Sequence, residues 1–334
     1  MPRNALEYSV DLPPGIESFR GINVAWLRYA TGSETSHDGY GNAFNDYYFN
    51  GTGANTDIQN QLNLLKNCGY KTIRVWLNIY HQMNADKATV GYTAFREEFL
   101  RNLSTYCDWC FARGIKMLIC LDDSWYTFPW EWLSDSAKRV SYVQACKDVV
   151  TALKNKPAVW GWDYCNEPYM GWAWLNTEST IHHHNSIDND LGYTRTFLTD
   201  FFKELYATLK PIVPYHLFSV GHNYPSGRGS KDLLHWDVQG AVDFYQVHTY
   251  VKSPSEFSWK ASEFEKPVII GEFGWGGSGG NFNRKEFIES MYHRFFQLGY
   301  GLIMPWSLVQ GVIRDGNGNY SGNPAFLSTK LWQG

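Results

Sequence analysis

The chain has 334 residues, 44% of them hydrophobic, which is enough for a large core, and closed α/β barrels of this length are commonly one domain. A net charge of −4 gives no electrostatic reason to expect nucleic acid or an anionic membrane as a partner, and no apolar run approaches the ~18 residues of a membrane span. Fifteen tryptophans in a chain that is 17% aromatic exceed ordinary core needs, and their faces suit stacking on sugar rings. The first residues, Met1 to Asn4, carry no apolar signal segment. A soluble monomer is expected, either cytoplasmic or the mature form of a secreted protein.

Residues 1–20, with Pro13, Pro14 and Gly15, read as an N-terminal cap. The spacing predicts a first strand over 21–27, then a long loop over 30–54 rich in Gly, Asn, Ser and Tyr. Ile58, Leu62 and Leu65 mark a helix over 55–68 that stops at Gly69, and TIRVWLN over 72–78 is a second strand. A helix over 94–113 has Phe95, Phe99, Leu103, Tyr106 and Cys110 on one side and ends at Gly114. Strands then follow over 116–122, 159–165, 215–221, 242–249, 268–273 and 301–308. Helices are predicted over 135–155, 193–210 and 283–298, with the remaining connecting helices weak and short.

Strands regularly separated by helices argue a parallel sheet, and eight such units argue a single (β/α)8 barrel domain over 1–334 with long loops at its C-terminal face. The strand ends would converge there. They bring Trp26, Arg74, Asn78, Asp122, Asp123, Asn166, Glu167, His222, His248, Tyr250, Glu272 and Trp306 to one mouth. Two glutamates stand out. VWGWDYCNEP ends in Glu167, where Pro168 turns the chain into a loop, and PVIIGEFG carries Glu272 before Gly274. A pair of strand-end carboxyl groups is what retaining glycoside hydrolysis needs, one as acid/base and one as nucleophile about 5–5.5 Å away. Aromatic surroundings would raise the proton affinity of Glu167, and an arginine and a tyrosine beside Glu272 would keep it ionised. No dinucleotide motif or strand-end lysine points to hydride transfer or Schiff-base chemistry, and no cofactor is expected.

With these residues the chain resembles a clan A glycoside hydrolase, most closely family 5, the cellulase and mannanase family. The resemblance rests on Arg74 in TIRVW, Asn166-Glu167-Pro168, His248 and Tyr250 in VHTY, Glu272 in IIGEFG and Trp306 in MPWS. It implies that Glu167 is the acid/base and Glu272 the nucleophile. It also implies that Asn166 bonds the sugar 2-hydroxyl, that Arg74 and Tyr250 orient Glu272, and that Trp306 floors the −1 subsite. LICLDD departs from the family pattern by placing Asp122 and Asp123 where a histidine usually ends the third strand. At least one of the two is expected to contact substrate; the rival reading makes one of them a cap for the following loop. The expected partner is a carbohydrate, with the sugar and the choice between endo and exo action left open.

Several other features have competing readings. Trp125, Trp130, Trp132, Trp172 and Trp174 are subsite platforms or pack under loops, and Trp275 faces the site or covers the rim. His182 to His184 and the Cys107/Cys110 pair lack the spacing of a metal site, so no metal is expected. The six cysteines read as small buried hydrophobes. An inert carbohydrate-binding barrel and an exo-acting β-glycosidase of another clan A family are the alternatives; the first would normally have lost one of the glutamates.

Overall fold

The computed structural model describes residues 20–25, 27, 44, 46, 49, 54–86, 91–123, 135–168, 187–223, 238–275 and 284–306. The first strand, β1 (Gly21–Asn23), is short and fully buried, and helix α1 (Ala54–Asn67) leads to β2 (Thr72–Trp76). A single turn of helix, α2 (Ile79–Gln82), precedes an antiparallel hairpin of β3 (Met83–Asp86) and β4 (Gly91–Phe95). The chain continues through α3 (Glu97–Phe111), β5 (Lys116–Cys120), α4 (Ser136–Leu153) and β6 (Val159–Asn166). After these come α5 (Ile187–Leu209), β7 (Leu217–Asn223), β8 (Tyr245–Val251), β9 (Val268–Trp275), α6 (Arg284–Gln297) and β10 (Ile303–Pro305).

Eight strands pair in the order β1-β2-β5-β6-β7-β8-β9-β10, and every pairing is parallel. A parallel bridge between Arg20 and Ile303 joins the first strand to the last, so the sheet curls into a nearly closed barrel. The expected (β/α)8 architecture is what forms. Inside its lower end, Leu118, Trp160, Phe244, Ile269, Leu302 and Met304 make an apolar plug. Outside, a larger apolar layer joins the strands to the helices.

Local chemistry explains most boundaries. In α3, Phe99, Asn102, Leu103, Tyr106, Cys107 and Cys110 are buried at helical spacing, and the helix stops before Gly114, whose φ of +67° favours glycine. One expectation needs correction. The helix expected from residue 94 begins at Glu97, because residues 91–95, rich in strand-forming Tyr, Thr and Phe, pair with β3 instead. That hairpin is anchored outside itself: the Tyr92 hydroxyl donates to Asp148 on α4 at 2.7 Å. The connection from β8 to β9 holds two 3₁₀ turns, Pro254–Glu256 and Ala261–Glu263, in place of a helix. Among the described residues no helix is long and apolar enough to cross a membrane.

Helix α4 starts at Asp135, whose side chain accepts from the Ala137 and Lys138 amides. Replacing Asp135 with Ala orphans two amides at an exposed helix start. It is expected to lower stability by about 1 kcal/mol in urea unfolding, with catalytic constants unchanged.

Candidate active site

Arg74 lies at the centre of β2 with no exposed surface, and all of its donor groups are engaged. Nε and Nη2 donate to Asp163 Oδ2 at 2.9 and 2.7 Å, and Nη2 also donates to Asn166 Oδ1 at 2.8 Å. Nη1 donates to Asn23 Oδ1 at 3.1 Å and to Glu272 Oε1 at 2.6 Å. Burial opposes the charge on Arg74, but Asp163 and Glu272 outweigh it and hold the proton above the ordinary arginine value.

The second oxygen of Glu272 accepts from the Tyr250 hydroxyl at 2.7 Å. Tyr250 is half-buried, and desolvation with the nearby Glu272 pushes its hydroxyl well above the usual phenol range, so it is a donor in this contact. For Glu272, burial raises the proton affinity, the nearby Glu167 adds to this, and His248, Arg74 and the Tyr250 hydrogen bond oppose it; the net direction is upward. His248 lies between the glutamates, its Nδ1 3.0 Å from Glu167 Oε1 and 3.5 Å from Glu272 Oε1. Burial lowers its pKa to about 4, so the ring is neutral near pH 7. Ligand atoms of Glu167, His248 and Glu272 all lie within 4.8 Å of one another. That is close enough for a metal ion in principle. However, Arg74 and Tyr250 already hold both oxygens of Glu272, and the guanidinium repels a cation there.

Irregular backbone brings these side chains together. Successive strand residues face opposite sides, so Asn166 and Glu167 could not both point inward from a regular strand. The pairing of β6 with β7 slips between Asp163 and Asn166, which returns Asn166 to the inner face. Glu167 then adopts φ +46°, a left-handed conformation uncommon for a residue with a side chain, while its amide still donates to Gly221 O at 3.1 Å. Such strain costs about 1–3 kcal/mol and collects at functional sites. On β9 the register slips opposite Val247 and His248, so Gly271 and Glu272 both face inward. Gly221 is required for space: a Cβ there would sit 2.6 Å from His248 Cε1.

The structure brings together Arg74, Asn166, Glu167, His248, Tyr250 and Glu272. Trp306 is half-buried beside them, its ring 5.1 Å from that of Trp76, and Trp76 in turn lies under the Arg74 guanidinium at 5.5 Å. Asp122 and Asp123 separate. Asp123 bridges to Asn166 and accepts from its Nδ2 at 3.1 Å, on the inner side. Asp122 faces the helix layer, where its Oδ2 accepts from the Tyr142 hydroxyl of α4 at 2.9 Å and from the Tyr80 amide at the start of α2 at 3.2 Å. These contacts turn Asp122 away from the face that carries Asp123 and Asn166. Its carboxylate is committed to a neighbouring helix and a helix N-terminus.

Trp26, Trp125, Trp130, Trp132, Trp172, Trp174 and His182 to His184 lie outside the described residues, as do the side chains of Asn223 and Trp275. Cys107 and Cys110 are buried and free, and desolvation lifts the Cys107 thiol to about 12, as expected of core residues. Sequence reasoning overlooked Asn23, Asp163 and Trp76. The signal for Asp163 was present: one acid in the apolar run VWGWDYC, and one arginine in TIRVW, each needing a buried partner.

No family model matches the chain. It is 24% identical to a mannan endo-1,4-β-mannosidase of Mytilus edulis over 86% of this chain and 82% of that one. It is 23% identical to the mannan endo-1,4-β-mannosidase of Cryptopygus antarcticus over 87% and 80%. The solved β-mannanase structure from Mytilus edulis matches with a TM-score of 0.62 and 22% identity, covering 87% of each chain. The β-1,4-D-mannanase structure from Cryptopygus antarcticus matches with a TM-score of 0.64 and 20% identity, covering 94% and 89%. The chain thus resembles clan A glycoside hydrolases and is most like family 5.

Two outcomes follow from this geometry. Replacing Asp122 with Ala leaves the Tyr142 hydroxyl and an amide without a buried acceptor. It is expected to cost about 1–3 kcal/mol of stability, measured by urea unfolding, with relative kcat/KM across epimeric aryl glycosides unchanged. The second concerns acid. His222 and His248 are buried with pKa values of about 3 and about 4, both below the 6.5 of a free imidazole. Below pH 6.5 the unfolded chain therefore takes up protons that the native state refuses, and stability falls as pH drops toward 4. Glu272 acts in the opposite sense. The urea midpoint is therefore expected to fall as pH drops from 6.5 to 4.5, with Glu272 offsetting part of the histidine effect, and a flat profile would contradict it.

Proposed function

We propose that the chain is a retaining β-glycoside hydrolase that acts endo on β-1,4-mannan by double displacement, with one catalytic domain over residues 1–334. The observation that carries the reading is the pair Glu167 and Glu272. Their nearest oxygens are no more than 4.8 Å apart, close to the spacing of retaining sites and short of the 6.5–9.5 Å that leaves room for an inverting water. The mannan specificity is supported by the named activity of the relatives.

In this reading Glu272 attacks the anomeric carbon, with Arg74 and Tyr250 fixing its two oxygens. Glu167 gives its proton to the departing glycosidic oxygen, then takes one from the water that releases the sugar. His248, neutral and touching both carboxyl groups, keeps them apart without adding charge. The Asn166 amide, with its oxygen on Arg74 and its nitrogen on Asp123, presents an N–H toward the sugar 2-hydroxyl. Trp306, backed by Trp76, supplies the apolar floor of the −1 subsite.

Replacing Glu272 with Ala is expected to remove turnover by several orders of magnitude, with azide restoring cleavage and giving a product of inverted configuration. Replacing Glu167 with Ala should cost about 10²–10⁴-fold on poor leaving groups and spare the first step on very good ones. The reverse pattern would exchange the two roles. Because burial raises Glu272, the acid limb of kcat/KM should lie above the ordinary carboxylate range, with activity lost as pH falls through it. Reducing-end release from mannan, but not from a β-1,4-glucan, tests the substrate.

A further inference from the structure

We propose that Asp163 is a positioning residue for the reaction: it holds the Nε and Nη2 edge of Arg74, so that Nη1 alone meets Glu272, and this fixes both the place of that carboxylate and the share of positive charge it receives. The proposal rests on Glu272 being the nucleophile.

Asp163 is fully buried in the middle of β6. Its Oδ2 accepts from Arg74 Nε at 2.9 Å and Nη2 at 2.7 Å, and its Oδ1 accepts from the Gly221 amide at 3.1 Å. Each of these contacts leads to one half of the catalytic pair. Through Arg74 it reaches Glu272 Oε1 at 2.6 Å. Through Gly221 it holds the residue whose carbonyl accepts the strained Glu167 amide at 3.1 Å, and against whose bare Cα the His248 ring packs. Gly221 is also close to the guanidinium, since a Cβ there would lie 3.3 Å from Arg74 Nη2.

The electrostatic consequence follows from guanidinium geometry. Its planar fork prefers to grip a carboxylate with two parallel N–H groups. In this site it cannot do so with Glu272, because Asp163 has taken the Nε–Nη2 edge and Asn23 and Asn166 take the other N–H groups. Glu272 therefore receives a single hydrogen bond from Arg74 and keeps lone-pair density for attack. Were the charge of Asp163 removed, the freed fork would turn toward Glu272, grip it from two sides, lower its basicity and move it from the line of attack.

The test compares Asp163→Asn, which keeps the shape and the acceptor for Gly221, with Asp163→Glu, which keeps the charge but lengthens the arm. Both are assayed on a β-1,4-manno-oligosaccharide and an aryl β-mannoside, alongside thermal melting. For Asp163→Asn, kcat is expected to fall about 10–100-fold with KM within about threefold, as a misplaced reacting group does. The acid limb of kcat/KM should move down by about half a pH unit or more, because the nucleophile then carries more of the arginine charge. For Asp163→Glu, kcat should fall while the acid limb stays where it is in the unmodified enzyme. An unmoved limb and unchanged kcat in Asp163→Asn, with only the melting temperature lowered, would make Asp163 a fold residue and overturn the proposal. If Asp163→Asn does not fold, Asp163→Glu decides: unchanged kcat overturns the proposal, and reduced kcat at unchanged KM supports it. Glu272→Ala tests the premise separately, because full activity in that variant removes the nucleophile assignment whatever Asp163 does.

Discussion

The site depends on one buried cation. Arg74 has five N–H donors, and its neighbours on β1, β6 and β9 use both edges of the guanidinium. Placing such a charge inside a barrel is costly unless opposite charges and acceptors meet it with good geometry. Asp163 and Glu272 supply the charge, and Asn23 and Asn166 the remaining acceptors. One arginine thereby ties the first, second, fourth and seventh barrel strands together and sets the orientation of the groups that would meet a sugar. The cluster of Arg74, Asp163 and an ionised Glu272 is net negative, which suits a reaction whose transition state builds positive charge on the sugar ring.

The functional side chains reach this cation only because their strands are irregular. A bulge on β6, a left-handed residue at Glu167 and a register slip on β9 each turn inward a side chain that alternation would have sent to the helix layer. The rest of the barrel absorbs the cost. Below the site, Leu118, Phe244, Ile269, Leu302 and Met304 fill the lower interior with ordinary apolar packing, so the strain rests on a well-filled base. Asp122 belongs to this supporting structure. It fastens α2 and α4 to the end of β5, while Asp123, one residue on and on the opposite face, holds the Asn166 amide.

Strand order and strand identity were legible from the sequence. Apolar runs such as TIRVW, KMLIC and PVIIGEF, spaced by amphipathic helices and stopped by Gly69 and Gly114, leave little alternative to a parallel (β/α)8 sheet. The residue types at the strand ends also pointed to one kind of chemistry, because two glutamates beside an arginine, a tyrosine and a histidine suit few reactions. The β3–β4 hairpin was not legible. Phe95 fits a helical face as well as a strand, and what decides is docking of the hairpin onto α4 through Tyr92 and Asp148, a contact between residues 56 positions apart.

What the sequence by itself determined was therefore the repeated unit, the barrel it closes into, and a shortlist of residues at its mouth. Periodicity is a local property, and eight repeats of it leave one architecture. Only the tertiary structure decided which way each shortlisted side chain points and what it is tied to. Asp122 and Asp123 are chemically alike and adjacent, yet one is bound to a helix and the other to Asn166, and no local pattern separates them. Asp163 was hidden in an apolar run and has its role because β2 brings Arg74 against it, 89 positions away in the chain. Bulges and a single left-handed residue set these directions, and such features arise where strands from distant parts of the chain must satisfy one buried charge together.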